Sequence, residues 1–100
     1  MRGITITYDY SGDEAPWRAA MQAFIDALDA DPGAANFSYQ VSIADNGVSR
    51  IHWGRWDSQA TLAHVQSQDY FKTFAAKVGE FSGGTHMPVP ADVAIKTSSW

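Results

Sequence analysis

The sequence predicts an α+β domain in which helices cover one face of a four-stranded antiparallel sheet. Three observations carry that reading. Residues 3–10 and 36–43 alternate apolar and polar side chains with the period of two that a half-buried strand shows. Two longer stretches space their apolar residues by three and four, the signature of a helix with one buried stripe. Between the second and third strands stands Asn46-Gly47, the strongest short hairpin signal. The chain has 100 residues, which makes one domain with one core.

In the first strand Ile4, Ile6, Tyr8 and Tyr10 share one side, with Thr5, Thr7 and Asp9 on the other. Ser11 to Glu14 gives a turn with capping-box spacing, and Pro16 fits a first helical turn. Trp17, Met21, Phe24 and Leu28 form the apolar face of the first helix, which Asp31-Pro32-Gly33 stops. Phe37, Tyr39, Val41 and Ile43 face one way in the second strand, and Asn46-Gly47 is read as a type I′ turn. The third strand, about Val48 to Trp56, carries Ile51 and Trp53 on one face and His52 and Trp56 on the other. Asp57-Ser58 caps a short helix through about Gln66; Ser67 or Asp69 caps another whose stripe is Phe71, Phe74, Val78 and Phe81. Ser82-Gly83-Gly84 ends it, Thr85 to Pro90 reads as an irregular connection, and Val93, Ile95 and Thr97 read as a last strand closed by Trp100. The order β-α-β-β-α-β is the ferredoxin-like split βαβ, with the first strand central, beside the third and fourth.

Composition narrows the function classes. With no cysteine there is no disulfide framework, thiol catalysis or Cys-ligated metal. Lys plus Arg is 7 against Asp plus Glu 11, a net charge of −4, so the positive field that drives nucleic-acid binding is missing. The first residues turn polar too soon for a signal peptide, and no apolar run approaches the ~20 residues that span a bilayer. A cytoplasmic protein with neither nucleic acid nor membrane as partner is expected. Helices on one side leave the other sheet face uncovered, yet the third strand puts a tryptophan on each face. Burying such a side chain is worth about 2–3 kcal/mol. A second copy of the chain, sheet against sheet in a homodimer, is the expected cover, with a chamber for a small molecule between the two sheets.

Trp56-Asp57-Ser58-Gln59-Ala60, His64, and Ser67 through Phe74 together resemble the antibiotic biosynthesis monooxygenase (ABM) domain of the dimeric α/β-barrel superfamily. The element order agrees over residues 3–97. The resemblance implies a homodimer holding a small aromatic, phenolic or quinol-type ligand that reacts with oxygen without cofactor or metal. The alternative is a non-catalytic small-molecule-binding or stress-response protein on the same fold; an isomerase or decarboxylase is a third reading. Two departures stand out: Gly54 sits where the family often has an acidic residue, and Gln66 stands where haem-degrading members carry a ligand histidine.

Each candidate residue has two readings. His52 is a general base, or a strand histidine satisfied by a neighbour. His64 faces a pocket as a base, or hydrogen-bonds across the domain. Trp56 stacks on an aromatic ligand and donates its indole N–H, or locks strand to helix. Thr7, Asp9, Ser38 and Gln40 orient a ligand, or are ordinary sheet polar residues. Tyr70 and Phe71 are pocket wall or core. Arg55 neutralises a phenolate or forms a surface ion pair. His86, in the Pro-rich connection, has no spacing to His52 or His64 that suits a metal.

Overall fold

The computed structural model describes residues 1–98. Its elements run β1 (Arg2–Asp9), α1 (Glu14–Ala30), a single 3₁₀ turn (Pro32–Ala34), β2 (Phe37–Ile43), β3 (Ser49–Trp56), α2 (Gln59–Ser67), α3 (Asp69–Ser82) and β4 (Met87–Asp92). The sheet order is β2-β3-β1-β4, all antiparallel. This is the ferredoxin-like arrangement expected, with β1 between β3 and β4. Among the described residues no helix is long and apolar enough to cross a membrane.

Local chemistry sets the element ends. Asp13 caps α1 by accepting from the Ala15 N–H, and Ser58 caps α2 by accepting from the Thr61 N–H. Neither Ser67 nor Asp69 caps α3: that position is Gln68, which makes no side-chain cap bond, while the Ser67 hydroxyl turns back to the His64 carbonyl. Gly83 closes α3 in the left-handed conformation at φ 61°.

Two elements differ from their sequence reading. The β2–β3 connection is not a two-residue I′ turn. Gly47 has positive φ but Asn46 does not, and the Gly47 N–H donates to the Ala44 carbonyl. The Asn46 side chain accepts from the N–H groups of Val48 and Ser49, closing the loop without a left-handed backbone at Asn46. The last strand is Met87–Asp92, not Val93–Thr97; Trp100 lies outside the described residues. Pro88 and Pro90 are two apart, so both missing N–H groups fall on one side of the strand. That side is the outer edge, because β4 pairs only with β1.

The core lies between the sheet and the helices. Trp17, Met21, Phe24 and Leu28 of α1 meet Phe74 and Val78 of α3 over Tyr8, Phe37 and Trp56. Phe24 stacks on Phe74 with ring centroids 3.8 Å apart. Arg50 is buried at the hairpin end. Its guanidinium lies 4.3 Å from the Trp17 ring, pairs with Glu14 at 2.5 Å, and donates to the carbonyls of Tyr10, Gly47 and Val48. A planar cation with five donors suits this site, since stacking and hydrogen bonds together replace its water.

Candidate functional site

Antiparallel register sorts the sheet into two faces. Ile4, Ile6, Tyr8, Phe37, Tyr39, Val41, Arg50, His52, Gly54 and Trp56 point toward the helices. Between this face and α2 and α3 lies a cavity of about 320 Å³, within the roughly 300–1,000 Å³ of small-molecule sites. Its sheet-side wall is Ile4, Ile6, Phe37, Tyr39 and Trp56, and its helix-side wall is Leu62, Phe71, Phe74, Ala75 and Val78. Arg2, Gln59, Gln66, His86 and Pro90 complete the lining and carry most of its polar groups. One polar atom in the wall is orphaned: the buried indole N–H of Trp56 has no hydrogen-bond partner among the described residues. An unpaired buried donor costs about 1–3 kcal/mol.

Behind the wall is a chain of hydrogen bonds through a fully buried histidine. Trp17 Nε1 donates to the Tyr8 hydroxyl at 3.0 Å. That hydroxyl lies 2.8 Å from His52 Nε2, and Tyr39's hydroxyl lies 2.8 Å from His52 Nδ1. Tyr8 is buried with no other acceptor for its hydrogen among the described residues, so it donates to Nε2. Neutral His52 then carries its hydrogen on Nδ1 and donates to Tyr39. The hydrogen of Tyr39 is left over, on a residue that is itself part of the cavity wall. Burial holds His52 neutral, its pKa pushed down to about 4, with the charge of His86 acting in the same direction. Burial likewise raises the pKa of both tyrosines. Gly54 makes the arrangement possible. Tyr39 crosses β3 above it, and a Cβ there would lie 2.9 Å from the Tyr39 ring. Gly54 thus gives Tyr39 its path to His52.

No family model matches the sequence, and no curated protein does. Solved structures do match. Rv0793 from Mycobacterium tuberculosis superposes with a TM-score of 0.79 at 18% identity, over 97% of this chain and 98% of that one. SnoaB, a cofactor-independent oxygenase from Streptomyces nogalater, gives 0.73 at 14% identity, over 99% and 97%. A candidate antibiotic biosynthesis monooxygenase from Nitrosomonas europaea gives 0.72 at 14% identity, over 95% and 100%. The chain has the antibiotic biosynthesis monooxygenase fold.

Within this monooxygenase fold the residues singled out from sequence divide into three places. Trp56 and Phe71 line the cavity, with His52 one hydrogen bond behind the wall residue Tyr39. His64 and Tyr70 are elsewhere: His64 Nε2 and the Tyr70 hydroxyl each lie 2.8 Å from Asp31 Oδ2. These bonds lower the Asp31 pKa, and burial with the Asp31 bond pushes Tyr70 up to about 12. The cluster ties the 3₁₀ turn to α2 and α3, and a Cβ at Gly33 would collide with the His64 ring. Thr7, Asp9, Ser38 and Gln40 lie on the sheet face turned away from the helices, so none of them lines this cavity. Asp9 accepts a hydrogen bond there from Ser49. Within the protomer a chamber lies between sheet and helices, on the opposite side of the sheet from the one expected between two copies. Sequence parity assigns residues to faces, but the gap under α2 and α3 depends on how the helices settle.

Tyr39 was read only as a core residue of the second strand, and two further residues were noticed without a role at this site. Gly54 carried a signal, since a glycine inside a strand marks a close approach. His86 carried none, because the loop holding it at the cavity depends on the register of β4 with β1. Among the described residues no three His, Asp or Glu side chains gather where they would hold a metal.

Proposed function

We propose that this chain is a cofactor-independent oxygenase acting on a small aromatic, phenolic or quinol-type molecule held in the cavity between the sheet and α2 and α3. The observation that carries the reading is the orphaned Trp56 indole N–H in the wall of a mainly apolar cavity. A flat ring would lie against Trp56, Phe71 and Phe74, and a ligand oxygen reaching the buried indole would satisfy it. Tyr39, its oxygen fixed by His52, would supply a second donor. SnoaB, of the same fold, is a cofactor-independent oxygenase, which supports the reaction class. An acidic substrate gives up a proton, and its electron-rich anion reduces oxygen. A ring CH₂ becomes a carbonyl; one oxygen atom is kept and the other leaves as water with the two hydrogens.

The same reading includes a homodimer. The outer sheet face exposes Ile51, Trp53, Met87 and Val89 at 40, 49, 64 and 55%. Small uncharged residues, Thr5, Thr7, Ser38, Gln40 and Ser42, share that face. Contiguous apolar surface rimmed by polar groups is typical of an interface, and a second copy offers the matching surface. Thr7, Asp9, Ser38 and Gln40 then belong to the contact between copies.

Oxygen uptake with a panel of hydroquinones and anthrones tests the reaction. Consumption above background, lost in Leu62→Trp, which fills the cavity, is the expected result. Saturable binding without uptake would leave a binding protein, and neither would overturn the reading.

A further inference from the structure

We infer that His86 is the residue that takes the proton from a ligand hydroxyl in this cavity. The inference rests on the cavity being a small-molecule site and adds the group that performs the acid–base step. Of the three titratable side chains in the lining, Arg2 is a permanent cation and Tyr39 a weak acid, and His86 remains. Arg2 is moreover paired with Asp92 at 3.0 Å.

The loop around His86 is built to present one ring nitrogen. Gly83 and Gly84 both have positive φ, at 61° and 79°, and turn the chain back on the end of α3. The buried Ser82 hydroxyl accepts from the Gly84 N–H at 3.2 Å and donates to the Gly79 carbonyl at 3.3 Å. With the Ser82 hydrogen on the Gly79 carbonyl, Ser82 accepts at the 3.1 Å contact and His86 Nδ1 donates, and this is the arrangement the inference takes. The Nδ1–H tautomer leaves the lone pair on Nε2, which has no partner among the described residues. A neutral imidazole fixed at Nδ1 with an unoccupied Nε2 is the form a general base requires.

The step is a proton transfer alone. The ligand O–H bond breaks, an N–H bond forms at Nε2, and the electron pair stays on the ligand oxygen. The resulting imidazolium–phenolate pair stabilises the anion that reacts with oxygen. The other groups around the cavity do not compete for the proton: Arg2 from β1 is cationic, Tyr39 from β2 is a donor, and His52 behind the β3 wall has both nitrogens occupied. The parts of α2 and α3 that line it carry only Gln59 and Gln66 as polar side chains.

The test uses 7-hydroxycoumarin, a two-ring phenol whose neutral and ionised forms have separate excitation bands. Titrated while bound to the wild-type protein, the probe should ionise about one pH unit or more below its midpoint in water. In His86→Gln the midpoint should return to the aqueous value or above, with low-pH affinity kept within about threefold. Ser82→Ala, which removes the positioning hydroxyl, should give an intermediate midpoint and stand as the second variant if His86→Gln does not fold. Equal midpoints in wild type and variants overturn the role of His86 alone. Failure of the wild type to bind the probe saturably overturns the cavity reading, and this inference with it.

Discussion

The two faces of one sheet behave as different molecules. On β3, Trp56 is 5% exposed and Trp53 is 49% exposed, three residues apart on one strand. Even-numbered positions from Arg50 to Trp56 face the helices and carry a buried cation, a buried histidine, a glycine that admits Tyr39, and a cavity wall. Odd-numbered positions carry Ile51 and Trp53 outward. The covered face is therefore where polar groups are held in fixed pairs, because a mismatch there is costly. The outer face instead mixes exposed Ile51 and Trp53 with small polar residues.

Several measurements sharpen that contrast. The largest effect is expected on the covered face. Phe24→Ala removes a ring stacked on Phe74 and should lower unfolding free energy by about 3–5 kcal/mol in urea melts. Trp53→Ala should shift the folding of the isolated protomer by no more than about 0.5 kcal/mol. Comparable losses would erase the distinction between the faces.

His52 gives the next effect. A folded pKa of about 4, below the ordinary histidine value of 6.5, means that the unfolded chain takes up the proton first. The contribution is complete above pH 6.5 and is lost as pH falls toward 4, on the order of 3 kcal/mol in all. A plot of unfolding free energy against pH should fall across that window and flatten in His52→Gln; identical slopes would mean that His52 is not held neutral.

Gly54→Ala should cost about 1–3 kcal/mol, because the added methyl meets the Tyr39 ring. Near-ultraviolet circular dichroism should register the displaced tyrosine, and an unchanged spectrum with unchanged stability would refute the packing described. A smaller effect lies off both faces, at Asp31. Its lowered pKa places a stabilising contribution above its unfolded value of 3.8, lost as pH drops through the folded one. Asp31→Asn should remove that acid limb from the pH profile while leaving the His52 window intact. On the outer face, Trp53→Asp should convert a dimer to a monomer in light scattering, without a change in fold by circular dichroism.

Much of this was legible beforehand. Period two in β1 and β2 and period three-to-four in α1 and α3 are direct images of one-sided burial, and the opposite facing of Trp53 and Trp56 follows from parity. The last strand was misplaced because prolines two residues apart look like an irregular connection until one sees that an outer edge tolerates both. The His52 network was hidden for a different reason. It joins Tyr8, Tyr39 and Trp17 from three elements, and its bonds run diagonally across β3, a geometry that pairing alone does not reveal. His64 occupies the position the resemblance suggested, yet it meets Asp31 rather than the cavity, because the α2 surface carrying it faces the 3₁₀ turn.

The central claim is that a small aromatic molecule enters the helix-covered side of a single protomer. Isothermal titration of 1-naphthol into wild type, Leu62→Trp and Trp53→Ala tests it most directly. Binding at one site per protomer, abolished in Leu62→Trp and preserved in Trp53→Ala, is the predicted result. Binding that survives Leu62→Trp and disappears with Trp53→Ala would place the site on the outer face and contradict the account.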